Sequence, residues 1–155
     1  MSAEKTAGGV GDVHALLARI EASWGTLMDT LDGIPEDRLE EPGAVGDWSL
    51  KDVFGHIAFW DEVALADAER ALANQPDGHD DYQAMNDADY LRRRDRTLPE
   101  QRCAMHQAHA ALVDYLDDIE GLDAATLDAA IKGDTYEHYD EHVADIRAWR
   151  ERTGI

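Results

Sequence analysis

Two histidines near the end of the chain have the spacing of a metal-ligand pair. His138 and His142 are four residues apart, and on a helix this spacing puts both imidazoles on one face, about one turn apart. His56 lies in the apolar stripe of a different predicted helix. Three inward imidazoles on two helices could bind one ion. Three protein ligands would leave positions open for water or substrate, which is the pattern of a catalytic metal site.

Hydrogen-bonded core histidines would give the same sequence pattern. The chain has seven histidines, so an accidental four-residue spacing is not rare, and convergence in space is not visible in one dimension. Under the metal interpretation, two carboxylates stand one helical turn before a ligand and could accept its second imidazole N–H, although solvent-facing positions are the simpler explanation for both: Asp52 and Asp134. Three stripe aromatics either line the pocket or belong to the core: Trp60, Tyr139 and Trp149.

The other polar candidates are predicted to have no catalytic role. Cys103 has no activating base at helical spacing and is expected to be a buried, inert thiol. His109 is expected to pack against the core. The remaining histidines are expected to be solvated: His14, His79 and His106.

The helices that must position these residues are visible as apolar stripes with three- and four-residue steps. The stripes predict four principal helices, at 12–32, 49–74, 97–120 and 134–152, and suggest a shorter one within 80–96. Capping signals at Ser49 and Thr97 support two of the starts. The stretches 36–47 and 122–133 are predicted to be loops. Four amphipathic helices bury their stripes most simply against each other, so the predicted fold class is all-α, a four-helix bundle.

Length and charge limit the classes of function. At 155 residues the chain fits one domain, predicted as a disordered segment at 1–11 followed by a bundle at 12–155. Lys plus Arg total 14 and Asp plus Glu total 34, a net charge of −20, which repels phosphate backbones and anionic lipid and predicts no nucleic-acid or membrane binding. Residues 1–11 lack the apolar segment of a secretory signal, so a cytoplasmic location is expected. The oligomeric state is left open, and a homodimer is compatible with this interpretation.

Two segments carry a resemblance to a known family. The stretch WSLKDVFGHIAFW at 48–60 resembles the second-helix signature of the DinB-like (DinB/YfiT) superfamily, and HYDEH at 138–142 resembles its last-helix His-x-x-x-His. Within that superfamily the chain is most similar to small proteins related to the N-terminal domain of mycothiol-dependent maleylpyruvate isomerase and to the ClbS/DfsB group. The resemblance implies a four-helix bundle with a divalent metal on His56, His138 and His142. It also implies metal-assisted transfer or isomerisation with a low-molecular-weight thiol.

Three hypotheses therefore stand at the level of sequence. The first is a metal-dependent enzyme in which zinc or nickel, which suit imidazole ligands, activates a water or a low-molecular-weight thiol toward a small-molecule substrate. The second is a non-catalytic protein that sequesters a metal, toxin or stress metabolite in the same cavity. The third is a structural bundle whose histidines are hydrogen-bonded core residues. Turnover separates the first two, and metal content separates both from the third.

Overall fold

The computed structural model describes residues 12–76, 79 and 81–155. The predicted disorder of 1–11 concerns residues outside this set. The described residues form six α-helices: α1 (Val13–Leu31), α2 (Leu50–Leu72), α3 (Tyr82–Arg93), α4 (Leu98–Asp118), α5 (Ala124–Ile131) and α6 (Tyr136–Thr153). No β-strand occurs within those ranges. The predicted all-α class is confirmed, and the four long helices lie within about two residues of their predicted bounds.

Local hydrogen bonds explain where the long helices begin. At α2, the Ser49 hydroxyl accepts the backbone N–H of Asp52, and the Asp52 carboxylate accepts the backbone N–H of Ser49 at 3.0 Å. Thr97 and Glu100 make the same reciprocal pair at α4. Each pair satisfies two donors that the first helical turn leaves free. These capping boxes are the ones that the sequence predicts.

The number of helices exceeds the prediction. The stretch 122–133, predicted as a loop, contains α5, which Asp123 caps by accepting the backbone N–H of Thr126. Leu127 and Ile131 stand four residues apart on α5 and are fully buried. Its eight residues are too few to show a stripe, so tertiary burial stabilises a helix that periodicity does not reveal. The suggested helix within 80–96 is α3, and a short 3₁₀ turn, Glu36–Arg38, lies between α1 and α2.

The helices pack as a bundle whose closest pairs are α2 with α4 and α1 with α6. The approach of α2 to α4 depends on Gly55, because a Cβ there would lie 2.5 Å from Gln101 Nε2. The apolar stripes meet in one core, whose fully buried members include Leu16, Ile20, Ile57, Leu112 and Ile146. Between α2 and α6, side chains make the described hydrogen-bond contacts: His138 meets His56, and Tyr139 bonds to Asp61. None of the described helices is long and apolar enough to cross a membrane.

Candidate metal centre

Three histidine side chains meet between α2 and α6. His138 Nε2 lies 2.9 Å from His56 Nε2 and 2.9 Å from His142 Nε2. Ligand nitrogens of all three lie within 4.8 Å of one another. His138 and His142 share a face of α6 because they are four residues apart, whereas His56 arrives from α2. The structure therefore brings together the three histidines that the sequence singles out.

Hydrogen bonding among the three rings cannot satisfy all of their polar atoms. A neutral imidazole has one N–H and one lone pair, and His138 Nε2 has two nitrogen neighbours but can form a good hydrogen bond with only one. Within the described residues, the buried Nδ1 atoms of His138 and His142 have no hydrogen-bond partner. The nearest acid to His142 Nδ1 is Asp145, at 3.4 Å. Each buried unsatisfied group costs roughly 1–3 kcal/mol.

A divalent cation fits this arrangement of donors. Bound to the three Nε2 lone pairs, it would use all of them together and leave each ring proton on Nδ1. For His142, that proton would point toward the Asp145 carboxylate, which is the usual environment of a ligating imidazole. The donor set and the orphaned nitrogens both agree with metal binding.

Burial keeps the three rings in the form that binds metal. Burial, aided by nearby His142, lowers the pKa of His56 to about 3. Burial also lowers the pKa of His138 well below its usual range, with His142 and His56 adding to the effect. The pKa of His142 is lowered by burial against partial opposition from Asp145. Neutral imidazoles offer a free lone pair at neutral pH, as metal ligation requires.

A cavity of about 350 Å³ opens beside the histidines. Its wall includes the three rings, Trp60 and Asn86, and Glu141 adds a carboxylate. The Trp60 indole N–H donates to Asn86 Oδ1 at 2.7 Å, which ties α2 to α3 and holds both side chains in place. A small molecule in this cavity would lie next to the imidazoles.

The two predicted supporting carboxylates do not hydrogen-bond to their histidines among the described contacts. The Asp52 carboxylate accepts from the backbone N–H and the hydroxyl of Ser49, and it makes no hydrogen bond to His56 among the described contacts. Asp134 lies in the cavity wall, but His138 Nδ1 has no partner among the described residues, so Asp134 does not orient that ring. Asp145, three residues after His142, lies 3.4 Å from the second ring nitrogen of that histidine. The sequence had predicted such a supporting role for Asp52 and Asp134. The spacing of Asp145 on the helix was the available signal.

The three predicted pocket aromatics separate into two groups. Trp60 lines the cavity. Tyr139 and Trp149 do not line it and are buried in the core, at 0% and 2% exposure. Tyr139 follows His138 directly, and successive helical residues point about 100° apart, so its ring faces the bundle interior.

Sequence reasoning missed a second buried polar network, to which α6 contributes Tyr139. The Tyr139 hydroxyl donates to Asp61 Oδ1 at 2.7 Å. His109 lies between the Tyr139 hydroxyl, 3.1 Å from its Nδ1, and Glu21 Oε1, 2.6 Å from its Nε2. Trp24 stacks on the His109 ring with centroids 3.8 Å apart. Asp61 is fully buried, four residues after the apolar Ile57. An acid in that apolar stripe was the signal in the sequence that could have revealed the network.

Exposure predictions for the other candidates had mixed outcomes. His109 is buried, and His14 and His106 are exposed, as predicted. The prediction for Cys103 was wrong: it is exposed, because the buried face of α4 runs through Gln101 and Met105, and Cys103 lies between them on the opposite side. 

The prediction for His79 was also wrong. Its side chain is only 7% exposed, with Nε2 2.8 Å from both carboxylate oxygens of Asp67. His79 thus contacts a residue of α2 twelve positions earlier in the chain, and local sequence gives no sign of this contact.

Comparisons with known proteins agree on the family and the fold. The family model described as the mycothiol maleylpyruvate isomerase N-terminal domain matches residues 20–135, which includes His56 and ends before His138. The crystal structure of an uncharacterised protein from Escherichia coli UTI89 is similar with a TM-score of 0.77 and 15% identity, over 93% of this chain and 95% of that one. A structure titled "Sibling Lethal Factor Precursor - DfsB" is similar with a TM-score of 0.72 and 16% identity, over 92% and 96%. At these identities the two structures show a shared fold alone. No curated protein matches the chain.

Proposed function

The chain belongs to the mycothiol maleylpyruvate isomerase N-terminal domain family, and from that premise we propose that it is a metal-dependent enzyme whose His56, His138 and His142 bind one divalent cation. The observation that carries this proposal is the convergence of three Nε2 atoms, with His138 Nε2 2.9 Å from each of the other two. Because the family match ends before His138, the contribution of α6 rests on this geometry.

The donor set favours zinc or nickel, since neutral imidazole suits both ions. A divalent cation held there would lower the pKa of a bound water or low-molecular-weight thiol and so supply a nucleophile at neutral pH. The chain's own part is to hold three lone pairs at the cavity wall. Asp145 would keep the His142 proton on Nδ1 and so fix the ring orientation.

The cavity beside the histidines supports a small-molecule substrate. Trp60, held by its hydrogen bond to Asn86, presents a rigid aromatic wall that would exclude water from one side of a bound molecule. The Glu141 carboxylate lines the same cavity and could accept or return a proton there. The net charge of −20 supports the further proposal that nucleic acid is not a partner.

Metal titration of protein purified without an affinity tag tests the centre. We expect one equivalent of zinc or nickel by calorimetry and elemental analysis above pH 7. His142→Ala should lose this binding, because it removes one of three ligands while alanine maintains the helix. His14→Ala, which removes an exposed histidine of α1, is the matched control and should bind like the natural protein. Equal affinity in the His142 variant, or no uptake by the natural protein, would contradict the proposal.

Turnover tests whether the centre is catalytic. The metal-loaded protein would be given a low-molecular-weight thiol and an excess of an electrophilic small molecule. Conversion beyond one equivalent, absent from the His142 variant, supports an enzyme. Consumption that stops at one equivalent would instead assign the sequestering function.

A further inference from the structure

A second group of ligand-type side chains lies beside the cavity, whose wall includes one of its members, Asp134. We propose that Asp67, His79 and Asp134 form a separate divalent-cation site, with two carboxylates and one imidazole as ligands. Asp67 belongs to α2, His79 to the segment that follows α2, and Asp134 to the turn before α6. Their ligand atoms all lie within 4.8 Å of one another. Three segments, one of them more than fifty residues from the other two, thus place metal-binding atoms close together.

Burial makes the charge of this group significant. Asp67 is 3% exposed and Asp134 is 9% exposed, while the His79 side chain is 7% exposed. Two carboxylates at this separation repel each other strongly away from water, and positive charge beside them offsets that repulsion. Arg70 reaches Asp67 at 3.4 Å but is 40% exposed, so solvent screens much of its effect.

The size of that positive charge separates two explanations. An imidazolium at His79 would cancel one of the two carboxylate charges. A divalent cation would cancel both and would leave His79 neutral as its third ligand. A divalent cation would therefore offset the repulsion between the two carboxylates more fully than one imidazolium does.

The local geometry agrees with shared coordination. His79 Nε2 lies 2.8 Å from Oδ1 and 2.8 Å from Oδ2 of Asp67. A single N–H points best at one acceptor, whereas equal spacing to both oxygens fits an imidazole and a carboxylate that face the same ion. Neighbouring ligands of an octahedral ion with bonds near 2.1 Å lie about 3 Å apart, close to the observed spacing.

This site is distinct from the three-histidine centre in position and in donor chemistry. The Trp60 ring contacts both groups, with centroids 6.1 Å from His79 and 6.4 Å from His138. Carboxylate oxygens favour magnesium and manganese, while a site of three imidazoles favours zinc and nickel. An ion at the second site would link α2, the segment after it and the turn before α6, and so would stabilise the wall of the cavity.

Manganese binding in a protein without the first centre tests this inference. The double variant His56→Ala/His142→Ala removes two of the three imidazoles and leaves the second group intact, so its result does not depend on the proposed function. We expect it to bind one equivalent of Mn²⁺ by electron paramagnetic resonance titration. Adding Asp67→Asn or Asp134→Asn should weaken that binding at least tenfold. Asp140→Asn, which changes an exposed carboxylate of α6, is the matched control and should leave it unchanged.

A spectroscopic readout needs no substitution within the site. Bound Mn²⁺ in the double variant should show magnetic coupling to one imidazole ¹⁴N, from His79. Three results would overturn the proposal: no Mn²⁺ uptake by the double variant, no such coupling, or Mn²⁺ affinity that stays unchanged when Asp67→Asn or Asp134→Asn is added.

Discussion

Two buried polar clusters both use side chains of α6, and they differ in how far protein atoms satisfy them. In the network of Tyr139, Asp61, His109 and Glu21, a hydroxyl donates to a carboxylate, and both ring nitrogens of His109 face oxygens. In the three-histidine centre, nitrogens face nitrogens, and buried Nδ1 atoms lack hydrogen-bond partners within the described chain. Unlike groups can pair as donors and acceptors, but three imidazoles that share one point cannot all do so.

The comparison suggests different purposes for the two clusters. The network can stabilise the fold with what the chain itself supplies, although within the described residues Asp61 Oδ2 has no hydrogen-bond partner and lies 3.6 Å from His109 Nδ1. The histidine centre is complete only with a ligand that accepts three lone pairs. Substitutions in the first should therefore change stability, and substitutions in the second should change metal binding.

His138→Ala should have the largest effect on metal binding. His138 Nε2 is the atom nearest both other ligands, so its loss should weaken zinc or nickel affinity at least about 100-fold, or about 2.7 kcal/mol. Calorimetric titration measures the affinity, and urea unfolding of the metal-free protein measures stability. Unchanged affinity would show that the two clusters do not differ in the way proposed.

Tyr139→Phe should have the opposite pattern. It leaves Asp61 buried without its 2.7 Å donor, so the free energy of unfolding should fall by about 1–3 kcal/mol. Metal affinity should change by less than about threefold, because the hydroxyl bonds to Asp61 and Tyr139 does not line the cavity beside the histidines. If Tyr139→Phe instead left the free energy of unfolding unchanged and strongly weakened metal affinity, the network and the centre would not be separate units.

Acid should destabilise the metal-free protein through the histidine centre. His56 has a folded pKa of about 3, below its unfolded value of about 6.5, so the unfolded chain binds the proton first as pH falls. Stability should be constant above the unfolded pKa and decline below it, by about 2 kcal/mol at pH 5 for this one residue. Urea unfolding from pH 7.5 to 5 measures the decline, and His56→Ala should reduce its slope. An unchanged slope in that variant would contradict the assignment.

Asp52→Ala and Asp145→Ala should give the smallest effects and should separate a helix cap from a supporting acid. Asp52 caps α2, so its loss should cost about 0.5–1 kcal/mol of stability with metal affinity unchanged. Asp145 lies 3.4 Å from His142 Nδ1, so its loss should weaken metal affinity by about tenfold with little effect on stability. Thermal unfolding measures the stability of each variant, and metal titration measures its affinity. The same changes in stability and affinity in both variants would contradict the distinction between a helix cap and a supporting acid.

Local sequence determined the helices and the candidate ligands. The apolar stripes and the capping boxes at Ser49 and Thr97 predicted the four long helices closely, because helical periodicity and capping act within a few residues. The same periodicity predicted that His138 and His142 share a face. It also offered Asp145 as their neighbour, a signal that sequence reasoning did not use.

Only the tertiary structure decided how distant parts meet. His56 is separated from His138 by 82 residues, and their contact depends on how α2 and α6 are rotated and spaced by the whole core. The burial of His79 against Asp67 and the helix α5 depend on that packing as well. Periodicity shows which side of a helix faces inward. Which residue of another helix it contacts there depends on how the side chains of several helices pack together.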